Sequence, residues 1–97
     1  MSALLRLRRV APLDGFVVRL TLTDGREVER DLEGLLVGAV FEPIRRDLGM
    51  FRRVRVRSGT LAWPGDIDLD PDVLIWGGAA PTVDATPPRR LVLTPGA

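Results

Sequence analysis

Alternating apolar and polar residues predict three strands in the first third of the chain. The segment Phe16–Leu22 places apolar residues at every second position, as in a strand with one buried face, and we interpret Arg6–Pro12 and Arg26–Leu32 as the strands before and after it. The turn sequences PLDG and TDG separate these segments, and their glycines can adopt positive φ. The pattern therefore predicts a three-stranded antiparallel meander.

The same pattern sets the register of the second hairpin. A two-residue loop would place Leu20 opposite Glu29, which would bring a carboxylate onto the apolar face. A three-residue loop, Thr23–Gly25, places Leu20 opposite Val28 and leaves the carboxylates on the other face. We therefore predict the three-residue loop, with Gly25 in the left-handed conformation.

After the third strand the apolar spacing is no longer two. Gly34, Gly38 and Pro43 argue against one long helix. We predict two short helical turns instead, around Glu33–Val37 and Glu42–Asp47. The residues expected to cover the open face of the sheet are Phe41 and Ile44.

The segment FRRVRVRSGTLAW predicts a further hairpin, separate from the meander, that turns at Ser58-Gly59. Its arginines alternate with valines and would project from one face at intervals of about 6.6 to 7 Å, close to the spacing of successive phosphates. Arg6, Arg8 or Arg9 would join them if the first strand lay alongside. The candidate nucleic-acid contacts are Arg53, Arg55 and Arg57.

Two features weaken this nucleic-acid interpretation. Outward carboxylates on the third strand can pair with arginines across strands. Aromatic residues on which bases could stack are also scarce, because only Phe51 shares the parity of the arginines. The carboxylates concerned are Glu27, Glu29 and Asp31.

Four aspartates at alternate positions, from Asp66 to Asp72, are arranged as in a calcium loop. Such a loop needs Gly at its sixth position and Glu at its twelfth, where this chain has Pro71 and Gly77. Asp70 before Pro71 is instead typical of a helix start, with Asp as N-cap and Pro at the first helical position. We therefore predict solvated turn residues at Asp66 and Asp68, then a short helix that Gly77-Gly78 ends, and neither a metal site nor catalytic carboxylates.

The composition changes after Trp76, since residues 77–97 hold four of the eight prolines. We predict one α+β domain over residues 1–76, with an antiparallel meander sheet of about five strands and short helices. An extended proline-rich tail follows over residues 77–97. Its apolar run can add to a sheet edge of this molecule or of a neighbour. The candidate partner contacts are Trp76, Leu91, Val92 and Leu93, whereas Trp63 is expected to cover the core.

Composition also removes most classes of enzyme. All 14 basic residues are arginine, and the chain has no Lys, His, Cys, Tyr, Asn or Gln. Only carboxylates remain for acid–base chemistry near neutral pH, and neither Ser2 nor Ser58 has a histidine or lysine to activate it. We expect a protein that is not an enzyme and that binds no cofactor.

Charge and hydropathy favour a cytoplasmic protein with no membrane association. The net charge of +1 gives no overall attraction to nucleic acid or anionic membranes. No apolar run approaches the length of a membrane span, and arginines interrupt the first ten residues too early for a signal peptide.

Three segments together resemble a known family. They are VAPLDGFVVRLTLTDG, DLEGLLVGAVFEPIRRD and FRRVRVRSGTLAWPGDIDLDPDVL, which follow one another between Val10 and Leu74. The set resembles the small bacterial family called domain of unknown function 2442. This resemblance implies a small α+β domain with no established activity and no catalytic residues. Its members are often encoded beside another small protein, in arrangements similar to toxin–antitoxin pairs. This chain departs from the pattern at Trp76 and in its proline-rich tail.

We therefore interpret the chain as a non-catalytic protein-interaction domain. It would pair with itself or with a neighbour-encoded small protein, through a sheet edge or the tail. The alternative is an antitoxin-like module that contacts nucleic acid through the arginine strand.

Overall fold

The N-terminal third of the computed structural model, which describes residues 5–82 and 85–93, is an antiparallel meander. Its strands are β1 (Leu7–Pro12), β2 (Val17–Leu22) and β3 (Glu27–Asp31). A β-bulge between Leu7 and Arg9 interrupts the pairing of β1 with β2. The predicted meander is confirmed.

The register of the second hairpin is also as predicted. Leu20 pairs with Val28, and Arg19 pairs with Glu29. The loop holds three residues, and Gly25 adopts a φ of 91°. The side chains of Leu20 and Val28 are buried, so the apolar face did select the register.

The segment after β3 contains four short helical turns, where the sequence predicted two. Two are 3₁₀ turns, at Glu33–Leu35 and Ala39–Phe41, and two are the α-helices α1 (Glu42–Arg46) and α2 (Leu48–Phe51). Asp47 separates the α-helices, and its carboxylate accepts hydrogen bonds from the backbone N–H groups of the first turn of α2. As predicted, Ile44 is buried and Phe41 packs against the core.

A second antiparallel sheet follows, with β4 (Arg55–Arg57), β5 (Thr60–Trp63) and β6 (Ile67–Leu69) in that order. Strand β6 was not predicted from the sequence, because Asp66 and Asp68 were expected to be turn residues. Asp66 does lie in the turn, with φ of 61°, but Asp68 is an exposed residue of β6. The described residues thus form seven strands in two sheets, and the α+β class is confirmed while the estimate of about five strands was too low.

The helix after β6, α3 (Pro71–Trp76), begins and ends as predicted. The carboxylate of Asp70 accepts a hydrogen bond of 2.8 Å from the backbone N–H of Asp72. Gly77 ends the helix in the left-handed conformation, with φ of 79°.

Part of the predicted tail joins the first sheet of its own molecule. Strand β7 (Arg90–Val92) pairs with β3 in parallel, and Leu93 is only 2% exposed. The first sheet therefore has the order β1-β2-β3-β7. Residues 83–84 and 94–97 of the predicted tail lie outside the described residues.

One hydrophobic core joins the two sheets, the helices and the tail. Leu20 and Val28 contribute from the first sheet, Trp63 from the second and Leu93 from the tail. The indole N–H of Trp63 donates a hydrogen bond to the carbonyl of Phe51, which satisfies its polar atom inside the core. None of the helices in the described ranges is long and apolar enough to cross a bilayer.

Candidate functional site

The predicted arginine strand is shorter than the sequence indicated. Arg55 and Arg57 lie in β4 and are exposed. Arg53 is also exposed but lies in a turn after α2, where its backbone N–H donates to the carbonyl of Met50. The turn continues the α2 backbone past its last helical residue, so the even spacing predicted for three arginines holds only for the two in β4.

Strand β1 runs antiparallel beside the β4 segment. At one end, the backbone N–H of Leu7 donates to the carbonyl of Gly59 at 3.0 Å. At the other end, the guanidinium of Arg52 donates to the carbonyl of Leu13 at 2.9 Å. Because these bonds join the start of one segment to the end of the other, residues 7–13 and 52–59 lie side by side in opposite directions.

This placement brings arginines from the two segments onto one surface. Leu7, Val10, Val54 and Val56 all pack in or against the common core. The arginines that alternate with them or adjoin them are exposed and therefore face away from that core. We call this set the arginine surface; it consists of Arg8, Arg9, Arg53, Arg55 and Arg57.

Of the outward carboxylates of β3, Glu29 pairs with arginines outside the arginine surface. Glu29 lies 3.8 Å from a guanidinium nitrogen of Arg19 and 3.8 Å from one of Arg90. Arg6, the other first-strand candidate, lies 3.9 Å from Asp72. Among the ion pairs of the described residues, none involves a member of the arginine surface.

The arginine surface has no aromatic residue within the described part of the chain. Phe51, the one aromatic that the sequence placed with the arginines, is fully buried. Its ring contacts Phe16 edge-to-face at 5.1 Å and Trp63 at 5.8 Å between centroids. The arginine surface therefore offers charge and hydrogen-bond donors, and the ring of Phe51 is not available for a base to stack on.

A second candidate surface is an open groove of about 700 Å³ beside α1. Val37, Val40 and Leu48 are three of the four large hydrophobic residues that are exposed in the described ranges, and Val40 is 65% exposed. Sequence reasoning missed them, although VGAV is an apolar run outside any strand or helix period. We call it the apolar groove because the exposed Val40 and Leu48 each follow one of its lining residues in the chain; the lining itself is Ala39, Pro43 and the charged Glu42, Arg46 and Asp47.

The predicted partner contacts of the tail differ in exposure. Leu93 is buried in the core, and Leu91 and Trp76 are half-buried against it. Val92 is 69% exposed, on the outer face of the first sheet opposite Asp31. Of these four residues, Val92 is therefore the one that a partner could contact without disturbing the core.

The fully buried Arg30 is a polar residue that the sequence analysis did not single out. Its guanidinium donates to the carbonyls of Leu74 at 2.6 Å, Ile75 at 2.8 Å and Pro88 at 2.8 Å, and to that of Glu29 at 2.7 Å. Burial lowers the pKa of Arg30 to about 10, so the side chain is still charged at neutral pH. Because four carbonyls from three segments use its donors, this charge links β3, α3 and the tail and is not available to a substrate.

Two of the four aspartates between Asp66 and Asp72 have structural roles. Asp70 caps α3, and Asp72 faces Arg6. The described residues hold no group of three or more acidic, histidine or cysteine side chains placed to bind a metal.

Comparison with known proteins identifies the family. The family described as "Protein of unknown function (DUF2442)" matches residues 7–79. The chain belongs to this family. No curated protein and no solved structure matches the chain. The DUF2442 match includes both sheets up to α3 and ends before β7 and Leu93, so the strand that completes the first sheet lies outside the matched region.

Proposed function

We propose that this DUF2442 protein is a cytoplasmic, non-catalytic protein-interaction domain that pairs with a second copy of itself through the apolar groove. The observation that carries the proposal is that the exposed Val40 and Leu48 each directly follow a lining residue of that groove in the chain. Large exposed apolar patches on small domains are typical of interaction sites, since burying them in an interface removes apolar surface from water.

The charges at the groove suit a two-fold interface. Glu42 and Arg46 form an ion pair of 3.0 Å on α1, and Asp47 follows at the end of the helix. In a two-fold interface each patch meets its own copy, so a patch that holds both signs of charge can pair with itself. Ala39 and Pro43 supply the small apolar surfaces between these charges.

Both the composition and the contacts of the acidic side chains support a non-catalytic function. The sequence contains no His, Lys, Cys or Tyr, and Asp70 and Glu29 are engaged in a helix cap and in ion pairs. A different partner, such as a neighbour-encoded small protein in a toxin–antitoxin-like arrangement, is the alternative occupant of the groove.

The experiment is size exclusion with light scattering on the full chain and on two matched variants, Val40→Lys and Val92→Lys. Both valines are highly exposed, so both variants should stay folded, which circular dichroism checks. We expect a dimer for the wild type and for Val92→Lys, and a monomer for Val40→Lys, because a lysine next to the lining residue Ala39 would lose its hydration when the groove is covered.

Two outcomes would contradict the proposal. A wild-type monomer at concentrations up to hundreds of micromolar would exclude self-association and leave the alternative partner. A dimer that Val92→Lys disrupts and Val40→Lys leaves intact would move the interface from the groove to the tail edge.

A further inference from the structure

The arginines of this protein divide into two groups by their contacts. In the described residues, eight of the 14 have a carboxylate or carbonyl partner, and six have none. Five of the six without a partner form the arginine surface, and the sixth is Arg89. The partnered arginines are Arg6, Arg19, Arg26, Arg30, Arg45, Arg46, Arg52 and Arg90.

The clustering of arginines without partners on the arginine surface does not stabilise the fold. Exposed arginines commonly pair with nearby carboxylates, as Arg26 does with Asp24 at 3.2 Å. Five like charges on two adjacent segments repel one another, and no described contact offsets that repulsion. Such a cluster is expected where an anionic ligand supplies the missing partners.

We propose that the arginine surface binds the phosphate backbone of a nucleic-acid duplex. The guanidinium group presents donors in a planar fork that matches the oxygens of a phosphate. Arg55 and Arg57 lie two residues apart on one strand, which places them about 6.6 to 7 Å apart, and Arg8 and Arg9 contribute from the adjacent strand.

The aromatic residues and the exposed groups of this part of the protein favour a duplex over a single strand. Proteins that hold single strands combine basic grooves with aromatic stacking platforms, whereas Phe51, the aromatic residue that shares the parity of the arginines, is buried in the core. The exposed groups are guanidiniums, and their contacts with phosphates would position the protein on a duplex without reading its sequence. The bound form is therefore a duplex, recognised without sequence preference.

The number of arginines sets the expected salt dependence. Each phosphate neutralised on duplex DNA contributes about −0.9 to the slope of log K against log salt. Five contacts give a slope of about −4 to −5, so the affinity should fall on the order of 500-fold between 50 and 200 mM salt. This activity lies on a different set of residues from the apolar groove and does not rest on the proposed self-association.

The test is the fluorescence anisotropy of a labelled 20-base-pair DNA duplex of arbitrary sequence, titrated with the full chain at several salt concentrations. We expect the double variants Arg55→Ala/Arg57→Ala and Arg8→Ala/Arg9→Ala each to reduce the slope by about 2. The control Arg26→Ala/Arg89→Ala removes the same charge from other parts of the surface and should leave the slope within about 0.5 of wild type.

Four results would overturn the proposal. The first is no binding at 50 mM salt by chains that circular dichroism shows to be folded. The second is an equal loss of slope in the control, which would assign binding to net charge and not to this surface. The third is polyglutamate competing as well as DNA at equal charge, which would make the ligand any polyanion, including an acidic protein. The fourth is tighter binding of the single strand than of the duplex.

Discussion

Among the described residues, Arg30 is the side chain that donates hydrogen bonds to the most backbone carbonyls. It lies on the core face of β3 beside Val28, at a position where strand alternation calls for an apolar side chain. Its guanidinium instead satisfies the carbonyls of Leu74 and Ile75, which the end of α3 leaves without helical partners. A positive charge is also favoured at a helix C-terminus, so one side chain fixes the position of α3 on the sheet.

Replacing Arg30 with methionine should destabilise the fold. Arg30→Met keeps much of the side-chain volume but leaves the carbonyls of Leu74, Ile75 and Pro88 buried without donors. We expect the free energy of unfolding to fall by about 3 kcal/mol. Urea denaturation measures it, with the exposed Arg26→Met as a control that should change stability by less than about 0.5 kcal/mol. An equally small effect at Arg30 would show that these hydrogen bonds contribute little.

The lowered pKa of Arg30 gives this effect a defined pH dependence. Below about pH 9 the group is charged in both the folded and the unfolded chain, so its contribution is constant. Burial lowers the folded pKa to about 10, below the ordinary arginine value of the unfolded chain, so in the pH window between the two pKa values the unfolded chain binds more protons. The free energy of unfolding of the wild type should therefore rise with pH in that window, and its advantage over Arg30→Met should be larger at pH 11 than at pH 9.

At the scale of elements, β7 is the part of the predicted tail that pairs with the first sheet of its own molecule. It pairs with β3 through three residues, and the side chain that follows it, Leu93, enters the core. Leu91 contacts the helix end, since a Cβ added to Gly77 would lie 3.1 Å from it. A three-residue strand gains little from its ladder alone, so its side chains must supply most of the binding.

The two neighbouring residues Val92 and Leu93 separate these contributions. Leu93→Ala should lower the free energy of unfolding by about 2 to 4 kcal/mol, because it leaves a cavity in the core. Val92→Ala removes a side chain that is 69% exposed and should cost less than about 0.5 kcal/mol. Urea denaturation of both variants is the measurement. Equal small effects would mean that β7 is not part of the stable fold in solution.

For the whole molecule, one core holds together two sheets that are not joined by a continuous ladder. Leu61 and Trp63 of β5 belong to the same buried cluster as Leu20 and Leu22 of β2. The two sheets also meet through the hydrogen bond that the backbone N–H of Leu7 donates to the carbonyl of Gly59, in the turn between β4 and β5. Since neither sheet buries its apolar face without the other, the two are expected to unfold together.

This expectation can be measured with one tryptophan. In a Trp76→Phe variant, fluorescence reports only Trp63 in the second sheet, while far-ultraviolet circular dichroism reports the whole chain. We expect the two signals to give the same urea midpoint. A fluorescence transition at lower urea than the dichroism transition would show that the second sheet unfolds first.

The candidate surfaces were predictable only in part. The sequence pointed to Arg53, Arg55 and Arg57, and it named Arg8 and Arg9 on the condition that the first strand lay alongside. Whether that condition held depended on the bonds from Leu7 to Gly59 and from Arg52 to Leu13, which join residues far apart in the chain. The apolar groove was not predicted, because its valines follow neither a helix nor a strand period.

The sequence by itself determined the features that depend on neighbouring residues. Alternation and turn chemistry gave the meander and its three-residue loop, and Asp70 with Pro71 gave the start of α3. Tertiary structure alone decided that Arg30 would be buried, that β7 would pair in its own molecule, and that two segments would share an arginine surface. These outcomes depend on which distant segments pack together, and the energy of such packing is not encoded in any local period.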